Sequence, residues 1–229
     1  MERQHQITRL EAFSDAVFAF ALTLLVVSLE VPKSFGELSD LMRGFVPFGL
    51  TFAMICWIWY QHNLFFRRYG LDDVWTVTLN CFLLFVVLFY VYPMKFLATA
   101  LFGGLLHLRD APDLREGGAQ IMLLYSTGVV LIFGSFVLLH WHAWRRRIAL
   151  GLSARELVTL RFARRAHVIS MTLGIVSIAV VLIWPNAPAI AGLLYALMGP
   201  LHGWNGHLGG KADARLAAAD RGRGHDAQR

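Results

Sequence analysis

Apolar residues gather along the chain into runs of about twenty, separated by short polar stretches rather than alternating with them. The first run spans 10–29 and is closed by Glu30, Val31 and Pro32. The others occupy 45–66, 74–102, 121–141, 166–184 and 189–208. Each is close to the length that crosses about 30 Å of hydrocarbon at about 1.5 Å per helical residue. The period-two alternation of a membrane β-barrel is missing from all of them. The pattern predicts an all-α membrane protein with six transmembrane helices. Pro93, inside the third run, is expected to kink or end its helix. Pro185 and Pro188 stop the fifth, and Gly199 with Pro200 interrupts the sixth. No internal repeat is visible, so residues 1–208 read as one six-helix unit. The Ala-, Arg- and Gly-rich stretch 209–229 reads as a disordered tail.

Composition supports a bilayer as the solvent. Of 229 residues, 57% are hydrophobic and 16% charged, against about 25% charged in ordinary soluble domains. The net charge of +6 could suggest nucleic acid, but its placement follows membrane topology. With the amino terminus in the cytosol, sixteen Lys and Arg fall on the cytosolic side: Arg3 and Arg9, Arg67 and Arg68, seven arginines within 145–165, and five basic residues within 211–229. Four fall outside, Lys33, Arg43, Arg109 and Arg115, while Lys95 near an outer helix end can snorkel. That positive-inside bias places both termini in the cytosol and offers contacts to anionic headgroups, with no nucleic acid implied. Six tryptophans, Trp57, Trp59, Trp141, Trp144, Trp184 and Trp204, read as interfacial residues near helix ends. The first run lacks a small-residue cleavage site and carries Ser14 and Asp15 at its start, so it reads as a span and not as a signal peptide. Cys56 and Cys81 form neither a CxxC pair nor a metal spacing.

Polar residues within the spans carry the chemistry. From Ala16 the first span has about 21 Å of apolar helix left to Leu29, which puts Ser14 and Asp15 at or just inside the cytosolic boundary. A carboxylate there needs a partner. Arg9 lies on another helical face and Glu11 would repel, so the partner must come from another helix or another subunit. His62, Asn63 and Asn80 share its depth, and a cluster of Ser14, Asp15, His62, Asn63 and Asn80 with Arg9 nearby is expected; a generic helix-packing network fits the same residues. Phe13, Phe20, Leu24 and Val27 form one stripe of the first span, with Thr23 beside it. Such a stripe suits contact with helices or lipid, or the wall of a pore gated by an apolar constriction.

The segment Arg9-x-x-x-Phe13-Ser14-Asp15 and its continuation Ala-Val-Phe-Ala-Phe-Ala-Leu-Thr-Leu-Leu-Val resemble the signature of the endosomal and lysosomal potassium channel family, the transmembrane protein 175 type. Trp59-x-x-His62-Asn63, Leu79-Asn80 and Pro93 are further matches. The resemblance spans roughly 7–205. It implies a potassium-favouring cation channel, with potassium as the permeant and no cofactor. For a one-repeat chain it implies a homotetramer in the bacterial inner membrane, its central pore lined by four copies of the first helix. It also implies an apolar constriction at Phe20, Leu24 and Val27, a pore threonine at Thr23, and a network of Arg9, Ser14, Asp15, Trp59 and His62 holding the pore helices. Two departures are visible: the aromatic Phe20 stands where the family is usually aliphatic, and Asn63 stands where a second histidine often follows. The filter sequence Thr-Val-Gly-Tyr-Gly is absent, so discrimination is expected from side-chain oxygens such as Thr23 and a tight apolar ring.

Other classes fit less well. His62, His107, His140, His142, His167, His202 and His207 could invite haem, but they read as residues of helix ends and loops, with spacings unsuited to facing axial pairs. A secondary transporter would be expected to show inverted repeats and helices broken at mid-membrane. Catalysis has no support: no phosphate-binding loop, nucleophile motif or metal spacing is present.

Overall fold

Hydrocarbon offers the backbone no hydrogen-bond partner, so the apolar runs fold as helices that satisfy their own amides. The computed structural model describes residues 8–103 and 117–226, with 106, 108 and 112 between them. Regular structure among the described residues is entirely helical: α1 (Arg9–Val27), α2 (Phe35–Arg43), α3 (Phe45–Tyr69), α4 (Val74–Gly103), α5 (Gly118–Arg145), α6 (Ala154–Ile183), α7 (Pro188–Leu193), a 3-10 turn (Leu194–Leu197) and α8 (Met198–Asp226). Four of these, α1, α4, α5 and α6, are long and apolar enough to cross a membrane. Taken together as one span bent by 45°, α2 and α3 make a fifth. The chain is a multi-pass membrane protein. Its helices form two compact units divided at Gly128, within α5.

In the first unit α1, α3 and α4 pack on one another. Their shared core holds Phe18, Ala21 and Leu25 of α1, Ile55, Phe65 and Phe66 of α3, and Leu83, Val87 and Val91 of α4. A capping box starts α1: the Thr8 hydroxyl accepts from the Glu11 amide at 3.1 Å, and the Thr8 amide donates to the Glu11 carboxylate at 2.8 Å. Gly70, with φ 54°, ends α3 in the left-handed region that glycine adopts at no steric cost. Asp73 then caps α4, accepting from the amides of Trp75 and Thr76.

Pro93 neither ends α4 nor splits it. The Tyr125 hydroxyl of α5 inserts at this point, donating to the Pro93 carbonyl and accepting from the Leu97 amide at 3.0 Å. A side chain from the next helix thus bridges the two backbone groups that an unbroken ladder would join directly. One turn below, Tyr90 donates to the Leu124 carbonyl at 2.9 Å, and its ring packs so closely on Gly128 that a Cβ there would collide with it.

The second unit is built on α6, which carries α7 and α8 along its length. Its helix starts at Ala154, twelve residues before the expected span, because Ser153 and Glu156 form a second capping box. At about 1.5 Å per residue its 30 residues reach about 45 Å, so the arginine-rich first turns extend beyond the hydrocarbon. The expected span 189–208 is not one helix. It is divided among α7, the 3-10 turn and the start of α8, with Pro188 and Pro200 both in first turns, where a missing amide costs little. Helix α8 then continues to Asp226, so 209–226 is helical where the sequence suggested disorder. Its alanines favour helix, Asp213 pairs with Arg155 at 2.9 Å, and Gly209 seats closely on Phe162. Residues 227–229 lie outside the described set, as do Arg3, His107, Arg109 and Arg115. Two expected interfacial residues, Trp57 and Trp59, fall in the middle of α3 instead.

Gly128→Ala should destabilise the protein by about 1–3 kcal/mol through overpacking against Tyr90, measured as denaturation of the purified protein in detergent. Adding Tyr90→Leu should recover part of that loss.

Candidate functional site

Helix α1 has two unlike faces. Ser14, Phe18, Ala21 and Leu25 recur at four, three and four residues and are buried against α3 and α4. The other stripe is not covered by the chain: Phe13 is 54%, Phe20 55% and Val27 70% exposed, Thr23 is exposed, and Leu24 is half-buried. A helix apolar on both faces, with one face already packed, presents the other to lipid or to further protein. Thr23 donates its hydroxyl hydrogen to the Ala19 carbonyl at 2.9 Å. The oxygen lone pairs are then left on the exposed side, free to accept or to ligate a cation.

What fixes α1 in place is a directed chain of hydrogen bonds across three helices. Ser14 Oγ donates to the Leu10 carbonyl at 2.8 Å, so its lone pairs face Asn80 of α4, whose Nδ2 donates to it at 2.9 Å. That orientation turns the Asn80 Oδ1 toward His62 of α3, 2.7 Å from Nε2. An amide oxygen only accepts, so His62 carries its hydrogen on Nε2. All three side chains are buried. His62 Nδ1 is buried too and has no hydrogen-bond partner among the described residues, while the rings of Phe18 and Phe66 flank the imidazole at 5.4 and 4.5 Å.

Asp15 takes a different partner. Trp59 of α3 donates its indole N–H to Asp15 Oδ1 at 2.8 Å. This neutral donor from another helix stands where the sequence suggested His62, Asn63 or Asn80. Arg9 is exposed and meets no carboxylate among the described residues, and Asn63 makes no side-chain hydrogen bond among them. The sequence placed Glu11 as a charge repelling Asp15, but its carboxylate is occupied in the cap of α1. A fourth tie went unforeseen. Lys95 Nζ of α4 donates to the Ser28 carbonyl at 2.9 Å and to Ser28 Oγ at 2.7 Å. It thereby closes the carboxyl end of α1, where orphan carbonyls and the helix dipole favour a cation.

Some of the histidines set aside above converge in the second unit. His140 and His167 are buried inside helices rather than interfacial, with ring centroids 4.8 Å apart, and Ser170 Oγ lies 2.9 Å from His202 Nε2. Direct ring contact leaves no room for a porphyrin between His140 and His167. Among the described residues no group of His, Cys, Asp or Glu could hold a metal ion.

An α-helical membrane protein whose first span is tied by buried polar side chains on one face and bare on the other has the design of a helix bundle that leaves one helix for assembly or transport. Comparison with known proteins makes the class specific. Residues 9–90 match the family described as endosomal/lysosomal potassium channel TMEM175. A potassium channel of Marivirga tractuosa is 37% identical over 227 residues, covering 93% of this chain and 92% of its own. One of Streptomyces collinus is 30% identical over 143 residues, 60% of this chain and 64% of its own. The crystal structure of a variant of the potassium channel MtTMEM175, in complex with a nanobody–MBP fusion protein, superposes with a TM-score of 0.80 at 37% identity. The match covers 92% of this chain and 97% of that one. The chain belongs to the TMEM175 family.

Asn80→Leu strands both Ser14 and His62 and should cost about 1–3 kcal/mol in a denaturation measurement, whereas Asn63→Leu should change stability by less than about 0.5 kcal/mol. Lys95→Met keeps the apolar stem but uncovers the end of α1. Its expected loss is about 1 kcal/mol, with faster hydrogen exchange confined to the last turn of that helix.

Proposed function

We propose that the protein is a potassium-favouring cation channel that conducts passively through a homotetrameric pore. Four copies of α1 surround the axis with Phe20, Leu24 and Val27 as the constriction, and Thr23 supplies oxygens beside it. The observation that carries the reading is the bare stripe of α1: a helix pinned by Ser14, Asp15 and Lys95 holds Phe20 and Val27 more than half exposed. Rings of such side chains raise a barrier by excluding water from a narrow passage, and a lone-pair oxygen one turn away can replace part of an ion's hydration. Names of the matched relatives, all potassium channels, support the permeant ion. The network of Ser14, Asn80, His62, Asp15 and Trp59 keeps α1 from rolling its apolar face away from the axis.

In this reading six spans are completed by α7 together with the start of α8, both termini lie in the cytosol, and the protein resides in the bacterial inner membrane. The charge distribution and the arginine-rich start of α6 support that orientation. No cofactor is needed, because the permeating ion changes no bonds.

Reconstituted protein recorded under asymmetric potassium and sodium provides the test. Potassium-favouring currents are expected, and Phe20→Ala should raise unitary conductance several-fold or relax selectivity. Unchanged conductance and selectivity in that variant would remove α1 from the pore. Saturable uptake with fixed coupling stoichiometry would replace the channel with a transporter.

A further inference from the structure

The second unit carries a groove outside the site described above. Val137, Leu138 and Trp141 of α5 line it with Arg164 and Val168 of α6, and its volume is about 470 Å³. Its lining is apolar apart from Arg164, and it lies open between two helices long and apolar enough to cross a membrane, a setting that suits an acyl chain. At one end the character changes sharply. Arg164 lies 5.3 Å from the centre of the Trp144 ring, Arg147 lies 5.2 Å from the same ring, and Arg145 lies 4.8 Å from that of Trp141. Arg147 also donates to the Trp144 carbonyl at 3.0 Å. Trp144 thus takes two guanidinium groups, those of Arg147 and Arg164, and Trp141 takes that of Arg145.

Ring contacts position these cations without neutralising them. Arg155, on the same helix as Arg164, is paired with Asp213, but Arg145 and Arg164 meet no carboxylate among the described residues. Repulsion between Arg147 and Arg164 on one ring, at the edge of a low-dielectric layer, calls for an anion, and planar guanidinium groups match phosphate oxygens best.

We propose that this groove binds one anionic phospholipid. The acyl chain lies along Val137, Leu138 and Val168, Trp141 sits at the glycerol level, and the phosphate meets Arg164 with Arg145 and Arg147 beside it. Complementarity selects this occupant. Inorganic phosphate would leave the apolar wall empty, and a phosphocholine headgroup would bring a quaternary ammonium toward three arginines. The site does not depend on the channel reading, only on the membrane span of α5 and α6.

The test is native mass spectrometry of the full chain released from bilayers of equal phosphatidylcholine and phosphatidylglycerol. Retained phosphatidylglycerol is expected to exceed phosphatidylcholine clearly, and Arg164→Gln should lower that retention by about tenfold, equivalent to losing one charge-assisted contact. Arg155→Gln, which removes an already paired cation, should leave it unchanged. Leu138→Trp fills the groove and should reduce retention while sparing all the arginines. Equal retention of the two lipids by the unaltered protein overturns the proposal without recourse to any variant. So does displacement of the lipid by millimolar inorganic phosphate, which would mark a simple anion site. Disulfide-linked dimers of Leu138→Cys would show a second copy covering the groove and would overturn it as well.

Discussion

The absence of water from the hydrocarbon layer governs this structure. A polar group placed there must find its partner in the protein, and most of these groups do so across a helix boundary or back onto their own ladder, with His62 Nδ1 an exception among the described residues. Ser14, Asn80 and His62 satisfy one another in sequence across α1, α4 and α3. Tyr125 bridges the Pro93 carbonyl and the Leu97 amide, and Lys95 closes the end that Val27 leaves open. Thr23, Thr51, Thr78 and Thr99 return their hydroxyl hydrogens to carbonyls four residues back. Apolar side chains among lipid tails gain little by meeting each other, so these few polar ties decide which helices lie together and in what rotation.

That constraint explains how much could be read in advance. Span-length apolar runs located α1, α3, α4 and α5 within a few residues, because bilayer thickness dictates length whatever the partners. The demand of Asp15 for a partner on another helix was equally legible. Identity of the partner was not. His62 and Asn80 looked suited to a carboxylate, yet they bind each other, and an indole from the middle of α3 serves Asp15 instead. Which of several donors at one depth meets a given acceptor depends on helix rotation, and that is settled by packing around Phe18, Phe65 and Phe66.

Other departures share a simpler cause, local signals outweighed by hydropathy. Thr8 with Glu11 and Ser153 with Glu156 both follow the spacing of a capping box, which would have assigned Glu11 a structural duty and started α6 at its true beginning. Pro93 is expected to kink or end its helix, yet α4 runs through it to Gly103. The Ala-, Arg- and Gly-rich end of α8 suggests disorder by composition, although its alanines favour helix and α8 runs to Asp226. Lys95 could not have been matched to Ser28 from spacing, since 67 residues separate them.

The two ends of α1 carry one further consequence. Thr8 and Glu11 lock its first turn, Lys95 clamps its last, and Ser14 and Asp15 hold one flank. A rod fastened at both tips and along one side has no cheap rigid-body freedom of its own. Any change in what its bare flank presents must come from torsions about χ1 and χ2 of Phe20 and its neighbours, or from α1, α3 and α4 shifting as a single block. The first belongs to the nanosecond world of rotamers and the second to the far slower collective motions of packed helices, so the speed of such a change would reveal which one the architecture permits.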